Sequence, residues 1–94
     1  MSSKREDEFF HRGETLRSQE KYKEAINYLK NFIEITEKKK SKKVALAERY
    51  LAESYLGLFL TDSAENHAFN YQEIAIYNKD EEQIQQALVT LGTD

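Results

Sequence analysis

The sequence predicts an all-α fold of stacked helical hairpins: about five helices, arranged as two repeats plus a terminal helix. Three observations carry this expectation. Small residues recur at fixed spacing: Ala25 follows Gly13 by twelve residues and Ala64 follows Ala52 by twelve, while Gly13 to Ala52 is 39 residues and Ala52 to Gly92 is 40. Small side chains at matched positions are what two antiparallel helices need where their backbones approach closely, and a near-constant interval is the mark of a repeat. Apolar residues then recur at three and four along the chain, with no alternating strand pattern. Finally, proline is absent and 33% of residues are charged, which suits helices with a solvated outer face.

The elements follow in order. From about 6 to 18, Phe9, Gly13 and Leu16 share a face, flanked by Phe10. The apolar pattern stops at Ser18-Gln19-Glu20-Lys21, where Ser18 is of the residue type that caps a helix. Tyr22, Ala25, Ile26, Leu29, Phe32, Ile33 and Thr36 mark a second helix of about sixteen residues, closing a first repeat over about 6–37. Residues 38–43 hold five lysines and no acid, and read as a connection or a fraying helix end, where the negative end of the helix dipole suits cations. The second repeat covers about 44–78. Its first helix runs from Val44 to about Leu60 with Leu51, Ala52, Tyr55 and Leu58 on one face, and ends in the most apolar stretch of the chain. Asp62 with Glu65 three residues on resembles a capping box, and Ala64, Ala68, Tyr71 and Ala75 form the inward stripe of the helix it opens. Asp80 with Gln83 repeats that signal, and Ile84, Ala87, Leu88 and Leu91 predict a terminal helix over about 80–92.

Length and composition bound the function. Ninety-four residues make a single domain, 1–94, with room for one elongated core but little for an enclosed catalytic cavity. The absence of cysteine excludes a disulfide framework and thiolate metal sites. The charged N-terminus has no signal-like apolar core, and no apolar run reaches the roughly 18 residues of a membrane span. A soluble intracellular protein is expected. Charge is uneven: residues 44–94 carry two bases against nine acids, which bears on partner choice rather than on fold.

The residues Phe9, Gly13, Leu16, Tyr22, Ala25 and Leu29, then Leu51, Ala52, Tyr55, Ala64 and Ala68, then Leu88, Leu91 and Gly92, resemble successive tetratricopeptide repeats. The resemblance implies a superhelix of helix pairs that grips other proteins. Departures are Arg12 where a leucine is usual, Glu20 at the usual turn glycine, and Glu37 and Asn78 near positions where a closing proline is common. The interval near 40 exceeds the usual period of about 34 residues, as in the extended repeats of polarity adaptors, kinesin light chains and Tonsoku-like proteins. Gly13-Glu14-Thr15-Leu16 with Tyr22-Lys23-Glu24-Ala25, Tyr71-Gln72-Glu73-Ile74-Ala75, and residues 83–92 are similar to the N-terminal repeats of the Tonsoku-like family. That resemblance implies a role in replication-coupled genome maintenance or histone handling, in the nucleus rather than the cytoplasm. It also implies a fragment or shortened relative, without the ankyrin and leucine-rich regions that the family uses to read histones and partners.

Stacked hairpins set their first helices on one wall. By repeat position this wall should carry Phe10, Glu14 and Arg17, then Arg49, Tyr50, Glu53 and Leu56, and finally Gln86 and Val89. Tyr and Arg are favoured anchors at interfaces, although ordinary solvated residues would give the same pattern. Phe10 and Glu14 stand where chaperone-tail repeats place Lys and Asn, so a C-terminal carboxylate ligand is not expected. Lys38, Lys39, Lys40, Lys42 and Lys43 suggest a nuclear-import or phosphate patch, or a solvated run; no aromatics interleave them, which argues against direct nucleic-acid binding. Leu56, Phe59 and Leu60 exceed what one inward face can hide, and either pack at the hairpin corner or leave a sticky edge. His11 and His67 lack ligand-spaced companions, so no metal is expected. No phosphate-cradling loop or nucleophile elbow occurs. The expectation is a protein-binding scaffold without cofactor or catalysis. The alternative is a self-associating helical adaptor, of the polarity or kinesin-light-chain kind, docking through its open ends.

Overall fold

The computed structural model describes residues 3–78, which form four helices: α1 (Ser3–Ser18), α2 (Tyr22–Ile35), α3 (Lys42–Gly57) and α4 (Thr61–Asn78). The chain is all-helical, with no strand among the described residues. Four helices are found against the five expected; the terminal helix over 80–92 falls outside the described residues. α1 packs on α2, α2 on α3 and α3 on α4, and α1 also touches α3. The layout is two consecutive hairpins laid side by side.

The two tight connections are built the same way. At the end of α1, Leu16 O accepts from Lys21 N–H at 2.8 Å and Arg17 O from Glu20 N–H at 2.9 Å. At the end of α3, Tyr55 O accepts from Leu60 N–H and Leu56 O from Phe59 N–H, both at 2.9 Å. Each is a Schellman closure, which requires a left-handed residue just past the helix. Glu20 and Phe59 fill that position, each at φ 62°, and they stand 39 positions apart. The usual turn glycine that the sequence lacks at Glu20 is therefore a conformational site of the chain, and it recurs at Phe59.

Several boundaries differ from expectation. Ser18 does not cap α2: its hydroxyl donates to Thr15 O at 2.7 Å, closing α1, while Lys21 precedes α2 without a side-chain cap. α2 has 14 residues and stops at Ile35. The side chain of Ser41 accepts from Val44 N–H at 3.2 Å and starts α3 at Lys42, so Lys42 and Lys43 belong to the helix and not to the connection. Asp62 lies inside the first turn of α4, favourably placed for the dipole, and is not the cap.

Phe10, Ala25, Ile26, Leu29, Phe32, Val44, Ala45, Ala47, Leu51, Tyr71 and Ile74 form the core. The small residues have distinct tasks. A methyl group at Gly13 would sit 2.6 Å from Leu29 Cγ and 3.3 Å from the Leu29 backbone nitrogen, so the residue answering Gly13 is Leu29, with Ala25 fully buried one turn earlier. Ala52 and Ala64 are also buried, as the repeat spacing requires. Gly57 admits the ring of Tyr22, whose atoms a methyl group would overlap. At the corner after α3, Leu56, Phe59 and Leu60 are exposed, so they are not packed away at the hairpin corner.

Glycine exchanges should therefore act in opposite directions. Glu20→Gly and Phe59→Gly relieve a left-handed side chain and should each raise stability by roughly 0.5–1 kcal/mol. Gly57→Ala displaces Tyr22 and should cost about 1–3 kcal/mol, more than the roughly 1 kcal/mol that alanine returns in helix propensity. Thermal and urea unfolding of the three variants measure both signs.

Candidate functional site

Five of the residues expected on the wall come together along the contact of α1 with α3. Lys43 Nζ donates to Asp7 Oδ1 at 2.5 Å, Tyr50 OH to Glu14 Oε2 at 3.0 Å, and Arg17 Nη1 to Glu53 Oε1 at 2.9 Å. Each pair is separated by 36 residues. Positions 7, 14 and 17 share one face of α1, and 43, 50 and 53 share one face of α3, because sevens and threes close on the helical period. A constant offset means that the two helices run parallel and in register. Glu53 also accepts from Arg49 Nε at 3.1 Å, so one carboxylate holds two guanidinium groups. The Arg17 guanidinium carbon lies 4.3 Å from the centroid of the Tyr50 ring, a cation–π stack.

The side chains of Arg17, Arg49 and Glu53 are 27%, 30% and 30% exposed, largely covered but still in reach of solvent. Exposed pairs of this kind contribute of order 0.2–1 kcal/mol each; their larger effect is to fix register and to hold the wall side chains in one geometry. Burial pushes the Tyr50 hydroxyl above the ordinary tyrosine range, and its bond to the Glu14 carboxylate adds to the rise. The Lys43 ammonium draws the Asp7 carboxyl below the ordinary aspartate range.

The remaining expected positions divide. Phe10 is 5% exposed and is not on the open wall: it packs on Phe32 at 5.2 Å and supports Tyr50 from behind at 6.0 Å between ring centroids. Leu56 is exposed one turn beyond Glu53. Gln86 and Val89 lie outside the described residues. The lysines are dispersed by internal work. Lys39 Nζ donates to the carbonyls of Ile33 and Glu34 at the end of α2, Lys40 stands 5.9 Å from the Tyr77 ring, and Lys43 joins Asp7 and lies over Phe10 at 5.3 Å. Lys38 is exposed, and Lys42 opens α3. Lys39, Lys40 and Lys43 are thus each engaged with a different helix: α2, α4 and α1.

A second polar cluster was not legible in the sequence. Glu48 is 7% exposed on α3, and His67 Nδ1 of α4 lies 2.6 Å from its Oε1, with Asn70 Nδ2 donating to the same oxygen at 3.4 Å. The imidazole stacks flat on Tyr55, at 5.3 Å and 5°. A buried carboxylate needs such partners, so His67 is a clasp between α3 and α4 rather than a surface residue. Its nineteen-residue distance from Glu48 gives no local pattern to read. His11 is exposed, 3.7 Å from Glu14. Between α1 and α2 lies a half-open groove of about 470 Å³ that includes Glu8, Arg12 and Tyr28. Its charges answer one another, with Arg12 3.7 Å from Glu8 and 5.8 Å from the Tyr28 ring, and it shares no residue with the wall.

Among the described residues, no group of three or more His, Cys, Asp or Glu side chains could hold a metal ion, and no helix is long and apolar enough to cross a membrane. No protein-family model matches the chain, and neither the curated proteins nor the solved structures yield a match.

Two titrations test the seam. Glu14→Gln should bring the Tyr50 hydroxyl part of the way back toward the ordinary value and leave it raised, because burial is the larger cause; ultraviolet titration of the phenolate measures this. A raised folded value makes this contribution to stability complete below the unfolded tyrosine range and lost as pH rises through the folded one, so unfolding midpoints should fall at high pH. Lys43→Ala should return Asp7 to the ordinary aspartate range, measured by NMR titration of its carboxyl. With Lys43 present, the pair's contribution stands above the unfolded aspartate value and disappears as pH falls through the depressed one.

Proposed function

We propose that the chain is a helical-repeat scaffold of the tetratricopeptide type that binds an extended segment of another protein along the α1–α3 wall, without cofactor or catalysis. The observation that carries this reading is the constant 36-residue seam. It sets Glu14, Arg17, Arg49, Tyr50 and Glu53 on a single half-exposed surface, pre-ordered by mutual bonds, with the exposed apolar Leu56 at its end. Aromatic and guanidinium groups with few rotamers left to lose make good anchors, since less ordering is required on binding. The 39-residue recurrence of the Schellman closures supports the repeat reading. The Tonsoku-like similarity of residues 13–25, 71–75 and 83–92 extends the proposal to a nuclear partner in genome maintenance or histone handling. The exposed Leu56, Phe59 and Leu60 favour the second reading, an adaptor that associates with its own kind.

A random-peptide display library selected on the immobilised chain tests the first reading. Enriched peptides should shift the amide resonances of residues 14, 17, 49 and 53. Arg49→Gln should weaken them by about tenfold or more, the 1–2 kcal/mol expected of an anchor, while helicity and melting stay near wild type. Peptides that map elsewhere, or affinities indifferent to Arg49, would remove the wall assignment.

A further inference from the structure

Among the described helices α4 meets only α3, and it does so through Ala64, Ala68, Tyr71, Ile74 and Ala75, each at most 5% exposed. The opposite side of α4 is bare. Asp62, Glu65, Phe69, Glu73 and Ile76 are all exposed there. At about 100° per residue these five fall within roughly 80° of one another, a single ridge about 21 Å long at spacings of three and four. Phe69 and Ile76 are 52% and 56% exposed. One exposed apolar side chain calls for no explanation; two on a ridge whose charges all share one sign define a surface. α4 has no lysine or arginine, and residues 50–78 hold four acids and neither base. Where α1 meets α3, Asp7 is answered by Lys43 and Glu53 by Arg17 and Arg49. Among the described residues, Asp62, Glu65 and Glu73 have no such partner. Lys39 and Lys40 line one small cavity with Glu73, but Lys39 donates to the Ile33 and Glu34 carbonyls and Lys40 lies toward the Tyr77 ring.

We propose that this ridge docks a basic amphipathic helix of another protein. Apolar side chains of that helix meet Phe69 and Ile76, while its lysines or arginines meet Asp62, Glu65 and Glu73. A ridge spaced at three and four is what the groove of a second helix accepts, and charge complementarity selects which helix enters it. An anionic lipid surface or a nucleic-acid backbone has the wrong sign. So do residues 79–94 of the chain itself, which hold one base against four acids. The ridge shares no residue with the α1–α3 wall, and the inference does not depend on what that wall binds.

The test titrates the full chain with a synthetic helix of about fifteen residues, matched to the ridge in length, with leucine at three-and-four spacing and lysine flanking it. One control scrambles the same composition; another replaces lysine with glutamate. The patterned basic peptide should shift the amide resonances of residues 62–76, leave those of 14, 17, 49 and 53 in place, and bind more weakly as salt is added. Phe69→Ala, and Glu65→Lys with Glu73→Lys, should each weaken it by roughly tenfold. These side chains are exposed, so melting should stay near wild type. The charge-reversed chain should instead take the glutamate peptide. Failure of the basic peptide to bind, equal binding of the scrambled one, or indifference to both variants would overturn the inference. Shifts confined to the α1–α3 wall would overturn it too, while leaving the wall reading in place. Amides of 62–76 that move with the concentration of the chain alone, alongside dimers in sedimentation, would give the ridge to a second copy and overturn it as well.

Discussion

The arrangement depends on two places where a side chain of α2 meets a helix that has none to offer. Leu29 lies against the bare backbone of Gly13, and the Tyr22 ring lies against Gly57. The first contact closes the α1–α2 hairpin; the second brings the α2 start to the α3 end and so joins one hairpin to the next. A single methyl group at Gly13 collides with the fully buried Leu29, where the interior has no slack to absorb it, and one at Gly57 collides with the half-buried ring of Tyr22. Phe10, Phe32 and Val44 belong to the core that forms alongside these approaches.

On that framework, polar groups decide register rather than strength. The 36-residue pairs along α1 and α3 fix how far one hairpin slides on the other, a degree of freedom that apolar contacts leave soft. The Glu48–His67–Asn70 clasp does the same between α3 and α4 from a buried position, where an unpaired carboxylate would be costly. The α2–α3 connection is likewise tied at both sides, by Lys39 to the end of α2 and by Asn78, which donates to the Lys40 carbonyl at 2.9 Å.

Much of this was legible in the residues. Helical periodicity and the twelve-residue echo of small side chains located the helices and the buried faces of α2 and α4; Glu14, Arg17, Arg49, Tyr50 and Glu53, expected on one wall, are joined by side-chain bonds along α1 and α3. What escaped was set by partners far along the chain. Phe10 has the pattern of a wall residue, yet Phe32 and Tyr50 draw it inward. Ser18 has the chemistry of a cap but serves the preceding helix, since its hydroxyl reaches a carbonyl three residues back. The lysine run looked like one charged feature; Ser41 splits it, sending two of its members into α3. The role of Gly57 is set by Tyr22, 35 positions away, and no local rule connects them.

The difference between two intervals described above has a geometric outcome. Equivalent residues of the two hairpins are 39 apart, but facing residues of α1 and α3 are 36 apart. The second hairpin is thus advanced by three residues along the helix axis relative to the first, about 4.5 Å at 1.5 Å per residue. Hairpins added by the same rule would climb like the treads of a stair, and homologous side chains on successive odd helices would fall on a slanted line.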